Sequence, residues 1–213
     1  MNLNDIVDEI YVVNLDERQD RLKNAIYQFS ELNSKFTRIS ATKNNVGTLG
    51  NKKSWLRILQ MAIRKQNKTI AICEDDVVFR YQLLKDLPVL CPMIKQTDFE
   101  VLSMHHYCEQ AGKASNRMNQ PEDDISLISV KKKPWCNQMV ILRNLPKWKN
   151  QIQRSIIKQP NRSLDNTITV FNAKAYITSR EYAFQLDDYS SIQKKNMRRF
   201  KQKLRYKDII NDS

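Results

Sequence analysis

The strongest constraint on the fold is an apolar run, Thr69-Ile70-Ala71-Ile72-Cys73, that passes without a break into the carboxylates Glu74-Asp75-Asp76. A short apolar run between turn signals reads as a strand buried on both faces. Acids at its end repel one another and must reach water, a proton or a cation. The chain is therefore expected to build a covered sheet with a carboxylate-bearing rim.

The neighbouring segments supply the rest of that sheet. Glu9-Ile10-Tyr11-Val12-Val13-Asn14 reads as a first buried strand. A helix is expected within residues 16–33, where Leu22, Ala25, Ile26 and Phe29 recur at helical spacing. Phe36-Thr37-Arg38-Ile39-Ser40 follows as a strand, and Trp55, Leu56, Leu59, Ala62 and Ile63 mark a second amphipathic helix. Strand, helix, strand, helix, strand implies an α/β domain with a mostly parallel twisted sheet flanked by helices. Ligands in such sheets bind beyond the carboxyl ends of the strands, which puts Asn14-Leu15-Asp16 and Glu74-Asp75-Asp76 on one rim. Further on, residues 83–94 read as a helix broken by Pro88 and Pro92. Strands are expected at 99–103, 125–130, 138–142 and 173–178, and a helix at 147–157. Residues 109–124 read as a long loop.

Composition narrows the chemistry. Only three glycines occur, so neither GxGxxG nor GxxxxGK[ST] is present. Four cysteines, without a CxxC pair, and two histidines argue against zinc and for reduced, buried thiols. No segment is apolar enough to span a bilayer and the N-terminus has no signal-peptide character, so a cytoplasmic location is expected. The net charge of +13 points to an anionic partner without naming it.

Alone, the acidic triplet reads as readily as a solvated turn closing a strand. It also suits Mg²⁺ or Mn²⁺, which bridge a few carboxylates to substrate phosphates. On an extended backbone Glu74 and Asp76 would face one ion together, and Asp75 would turn toward a ribose or a backbone amide.

The surrounding motifs carry a resemblance. Ile10-Tyr11-Val12-Val13-Asn14-Leu15-Asp16 with Arg18, Asp20 and Arg21, then Phe36-Thr37-Arg38-Ile39-Ser40-Ala41, Gly47-Thr48-Leu49-Gly50 with Ser54, and Ile72-Cys73-Glu74-Asp75-Asp76-Val77 stand in order. Gln138-Met139-Val140-Ile141-Leu142-Arg143, Leu164-Asp165-Asn166 and Ser190-Ser191-Ile192 follow. Together they resemble glycosyltransferase family 25, the lipopolysaccharide and collagen galactosyltransferase-like group, of which this chain would be a divergent member. The resemblance implies a GT-A-like domain over residues 1–192 and transfer of a sugar from a nucleotide donor, usually UDP-linked, with Mn²⁺ or Mg²⁺. Trp55 stands where that family has histidine, and no histidine follows His106.

On this reading Glu74 and Asp76 hold the metal, and Asp76 shares in catalysis. Asn14, Leu15, Arg18, Arg21, Asp75, Trp55 and His105 contact the donor. Trp55 has packing as its alternative, and Arg18 and Arg21 a solvated helix start. Asp165, at the place of the family's aspartate, is the expected general base for an inverting transfer, with a helix N-cap as its alternative. Asp123 and Asp124 stand in reserve.

Residues 193–207 carry Lys194, Lys195, Arg198, Arg199, Lys201, Lys203, Arg205 and Lys207 with no acid, and Met197, Phe200 and Leu204 at helical spacing. Residues 193–213 are thus expected as a basic amphipathic tail that touches an anionic inner membrane face or nucleic acid. The leading acceptor is a surface glycan of lipooligosaccharide type. The alternatives are a hydroxylated base in DNA, as in phage-type DNA modification, and a non-catalytic nucleic-acid binder on a degenerate scaffold.

Overall fold

The structure is a computed structural model that describes residues 1–104, 125–130, 138–167, 173–185, 189–190 and 195–196, the side chains of 165, 166, 189, 190, 195 and 196 excepted. The expected alternation is present as β1 (Glu9–Asn14), α1 (Gln19–Glu31), β2 (Thr37–Ser40), α2 (Gly47–Arg64) and β3 (Ile70–Glu74). β1 pairs in parallel with β2 on one side and with β3 on the other. The connections β1-to-β2 and β2-to-β3 therefore cross the sheet in opposite directions. Since such crossovers are almost always right-handed, α1 and α2 fall on opposite faces.

The cores agree with that geometry. Ala25 and Phe29 of α1 pack with Ile10, Val12, Ala71 and Cys73. Trp55, Ile58 and Leu59 of α2 pack with Tyr11, Ile39, Ile70 and Ile72. Alternate residues of β1 and β3 thus serve opposite cores, which is why these strands are apolar throughout.

The second half adds β4 (Val77–Phe79), α3 (Tyr81–Gln96), β5 (Val101–Ser103), β6 (Leu127–Ser129), β7 (Met139–Leu142), α4 (Leu145–Lys158), α5 (Leu164–Thr167), β8 (Ala175–Thr178) and β9 (Ala183–Gln185). The main sheet runs in the order β2-β1-β3-β7-β5-β8-β6. β7 and β6 are antiparallel to their neighbours and the other five strands share one direction. The domain is mixed α/β with a mostly parallel sheet flanked by helices, as expected. Among the described residues no helix is long and apolar enough to cross a membrane.

Three local expectations change. α3 continues through Pro88 and Pro92 rather than breaking. Both prolines are exposed and one turn apart, so the carbonyls they deprive of donors face water. Leu83, Leu87, Leu90, Cys91 and Ile94 bury the opposite face and offset the cost. β4 and β9, unforeseen, pair as a separate antiparallel ribbon beside the acidic triplet. Apart from the main sheet, β10 (Tyr189–Ser190) and β11 (Lys195–Asn196) pair antiparallel, and β11 lies where a helix was expected. Residues 197–213 lie outside the described residues, as do Cys108 and Cys136. Cys73 and Cys91 are free and buried.

One glycine fixes the loop at the rim. A Cβ on Gly50 would stand 2.4 Å from the Thr42 carbonyl oxygen, so helix and loop meet backbone to backbone. Ser54 Oγ completes the seat, donating to Gly50 O at 3.0 Å and accepting from Thr42 N–H at 2.8 Å. Replacing a helical glycine by alanine ordinarily gains up to about 1 kcal/mol, whereas overpacking costs roughly 1–3 kcal/mol. Gly50→Ala is expected to lower stability by about 1 kcal/mol, measured by urea unfolding; a gain would show that the loop yields freely.

Candidate functional site

The chain leaves β1 for β2 at one edge and returns to β3 on the other side of β1. The boundary between β1 and β3 is thus where the strand order reverses, and ligands seat in the crevice outside such a boundary. Val13 is level with Glu74 in the parallel register, so the carboxyl ends of the two strands are flush. Asn14 binds the two sides together. Its Nδ2 donates to Asp75 Oδ2 at 2.8 Å and to Arg18 O at 3.0 Å, and its Oδ1 accepts from Arg38 Nε at 2.9 Å.

The acids do not divide as expected. Glu74 ends β3, and Asp75 and Asp76 form the turn into β4. A turn abolishes the alternation of an extended backbone, so Asp75 and Asp76 converge while Glu74 goes its own way. Arg21 Nη1 lies 3.2 Å from Asp75 Oδ1 and 3.1 Å from Asp76 Oδ2. All three side chains are about nine-tenths buried or more. Glu74 Oε2 accepts from Gln138 Nε2 at 3.2 Å. From β9, Gln185 Nε2 donates to Asp76 Oδ2 at 3.1 Å. Asn24 of α1 clamps the turn by donating to Val77 O at 3.0 Å.

Two carboxylates share one guanidinium in a dry place. Burial first, and the charge of Asp76 second, push the Asp75 carboxyl above the usual carboxylate range, against the pull of Asn14 and Arg21. For Arg21 burial works against the charge, but Asp76 and Asp75 outweigh it and hold the guanidinium more firmly protonated than usual. Asp76 Oδ1 is buried and has no hydrogen-bond partner. One such oxygen fits a divalent ion that takes one or two carboxylates and completes its shell with phosphate and water. Among the described residues no group of three or more His, Cys, Asp or Glu could hold a metal.

Basic residues stand beside the ends of β1 and β2. Arg38 pairs with Asp16, whose other oxygen accepts from Ser40 Oγ at 2.6 Å, and Arg57 donates to Ser40 O. Arg18 at the start of α1 lies 2.7 Å from Asp20 and holds that carboxyl down at about 2. Leu15 is half-buried beside them. Asn14, Leu15, Arg18, Arg21, Glu74, Asp75 and Asp76 therefore gather in one place.

Trp55 does not join them. It is fully buried among Ile39, Ile58 and Leu59, so it packs and offers no ring to a donor. Asp165 sits on α5, against α4 and α2, with its side chain outside the described residues. His105, Asp123 and Asp124 also fall outside them. Sequence reading missed Asn24, Arg38, Gln138 and Gln185. Gln138 left a faint signal as the amide opening an apolar strand, while Asn24 and Arg38 look like ordinary surface residues of their elements.

No family model matches the chain, and no curated protein matches it in sequence. Solved structures do resemble it in chain path. A197 from STIV is 15% identical with a TM-score of 0.41, covering 87% of this chain and 90% of that one. A glycosyltransferase involved in glycosylation of the major capsid of PBCV-1 is 9% identical, at 0.47, covering 77% and 73%. The inositol-1-phosphate CTP transferase from T. maritima is 11% identical, at 0.42, covering 84% and 70%. Likeness at this level is one of general architecture and assigns no residue.

The shared guanidinium predicts an order of stabilities. Arg21→Met leaves two buried carboxylates without their cation and is expected to cost on the order of 3 kcal/mol. Asp75→Asn should cost clearly less, because Asp75 holds its charge reluctantly and an amide keeps the contact with Asn14. Urea unfolding of both variants checks this; equal losses would mean that Arg21 is held by packing alone.

Proposed function

We propose that this chain is a glycosyltransferase whose nucleotide-sugar donor, UDP-linked on the family resemblance, occupies the crevice outside β1 and β3. The observation behind this reading is the buried Arg21–Asp75–Asp76 cluster at the reversal of strand order, with Asp76 Oδ1 left unpaired. A buried cluster with one surplus negative charge is costly for a fold and useful beside a phosphate-bound cation.

In this proposal Asn14 and Leu15 contact the nucleoside, and Arg18 and Arg21 meet the diphosphate, for which a guanidinium is well shaped. Asp76 would hold Mn²⁺ or Mg²⁺ through its unpaired Oδ1, the rest of the shell being phosphate and water, and the ion when bound neutralises charge on the departing diphosphate; Glu74 stays with Gln138. Asp75 orients Arg21 and Asn14. The acceptor hydroxyl oxygen forms a bond to the anomeric carbon as the bond from that carbon to the diphosphate oxygen breaks. Asp165 takes the hydroxyl proton, and the diphosphate leaves with the bonding pair. This is a single inverting displacement.

Thermal unfolding against nucleoside diphosphates and nucleotide sugars, with and without Mn²⁺, tests the donor site. One nucleotide at a hundred times its dissociation constant should stabilise the fold by about 2.7 kcal/mol, and Asp76→Asn should abolish the Mn²⁺-dependent part. No shift with any nucleotide would remove the transferase reading.

For the acceptor we take the hydroxyl of a surface glycan. The charge of +13 favours a second reading, a hydroxylated base in DNA turned out of the duplex. That reading requires duplex binding that weakens steeply between 50 and 200 mM salt, on the order of 10³-fold for six phosphate contacts. Fluorescence anisotropy with a labelled duplex decides it, and salt-insensitive or absent binding would leave the glycan.

A further inference from the structure

A second polar cavity lies away from the acidic turn, where the C-terminal half of α4 meets α5 and the N-terminal half of α2. It has a volume of about 210 Å³, and Arg154, Ser155, Lys158, Arg162 and Thr167 line it. Behind Ser155 stands Lys52 of α2, fully buried. Its Nζ donates to Ser155 Oγ at 3.2 Å and to Gln159 O at 2.6 Å. Thr167 Oγ1 donates to Ser163 O at 2.8 Å and lies 2.9 Å from Ser155 Oγ. With that proton spent, Ser155 must donate to Thr167, and the chain of bonds runs one way from Lys52. An ammonium has three protons, so one Lys52 N–H remains beyond these two partners.

Three cations thus line one small space, a fourth, Lys52, stands behind Ser155, and no carboxylate lines the space among the described side chains. Arg154 and Lys158 are one helical turn apart, where like charges are unfavourable. Arg162 is steered by a 2.9 Å bond to Gln159 Oε1. Burial first, and the charge of Arg162 second, loosen the hold of Lys52 on its proton. The C-terminus of α4 supplies about half a negative charge, which helps to explain the buried Lys52, while Arg154, Lys158 and Arg162 are exposed and open to a partner from solution. A fold that gathers this much charge around a cavity is arranged for an anion.

We propose that this cavity binds a phosphate group carried by the acceptor substrate. The volume is below the range of roughly 300–1,000 Å³ typical of clefts that hold a whole ligand, so the cavity takes a terminal phosphate, the rest of the molecule lying outside. A single small pocket also differs from the long basic track that a polynucleotide backbone needs. α5, which contributes Thr167, also carries Asp165, so the cavity and the proposed base share one short helix. The acceptor role rests on the transferase reading; phosphate binding does not.

Isothermal titration of the full chain with inorganic phosphate at low salt tests the site. Arg154 and Arg162 are both exposed, so Arg154→Gln/Arg162→Gln should fold normally. The double variant is expected to bind phosphate at least tenfold more weakly, while Asp76→Asn binds it as the unaltered chain does. Competition then separates the sources: displacement by vesicles containing phosphatidate assigns a lipid-borne phosphate, and displacement by glucose 6-phosphate alone a soluble one. No binding of phosphate, or equal binding by the double variant, overturns the site, and so does displacement by unphosphorylated duplex DNA alone. Intact phosphate binding in a chain that no nucleotide sugar stabilises would keep the anion site and remove its acceptor role.

Discussion

One guanidinium held between two buried carboxylates sets the terms for the rest of the rim. Arg21 reaches across from α1 to a turn that would otherwise be forced apart by like charge, and in doing so fixes α1 against the end of β3. The cluster remains short of one positive charge, and the molecule answers this by raising the Asp75 carboxyl and leaving one Asp76 oxygen unpaired. A proton on the first or a cation at the second would balance it. The electrostatic shortfall and the chemistry proposed for the site are thus two aspects of one arrangement.

The chain path places this cluster where it can be used. Because β1 has neighbours reached by crossovers in opposite directions, its carboxyl end lies where the strand order reverses, the place at which ligands of such sheets seat. Asn14 sits at that end and joins three elements at once through Asp75, Arg18 and Arg38. The β4–β9 ribbon closes the far side, and through Gln185 it touches the same Asp76. Strand ends, helix start and ribbon all contribute one polar side chain to a common point.

The first half of this architecture was legible because apolar periodicity is a local property. Ile70 to Cys73 had to be a doubly covered strand, and Leu22, Ala25 and Phe29 had to lie on one helical face. The grouping of Asn14 with the acids followed from topology alone. What could not be read was the direction of side chains across a turn, so Glu74 was paired with Asp76 when Asp75 is the true neighbour. Trp55 stood at the apolar spacing of α2 with Leu59 and Ala62, and only the resemblance, which has histidine at its place, put it at the donor. Gln138 and Gln185 reach the site from strands far along the chain, and no local pattern announces a contact between residues 76 and 185. Pro88 and Pro92 misled for a related reason: their cost depends on which face meets water, and burial on the other side decided the outcome.

The backbone seat between Gly50 and Thr42 has a consequence for how such a protein can change over generations. The loop after β2 is positioned by a missing side chain at Gly50 and the Ser54 hydroxyl, with Asn44 Oδ1 accepting from Val46 N–H at 2.9 Å as its own contribution. The exposed side chains of Asn45 and Val46 can therefore be rewritten while Gly50, Ser54 and Asn44 keep the path of the loop constant. A scaffold of this kind can acquire new substrate preferences along one border of its crevice without first having to acquire a new shape.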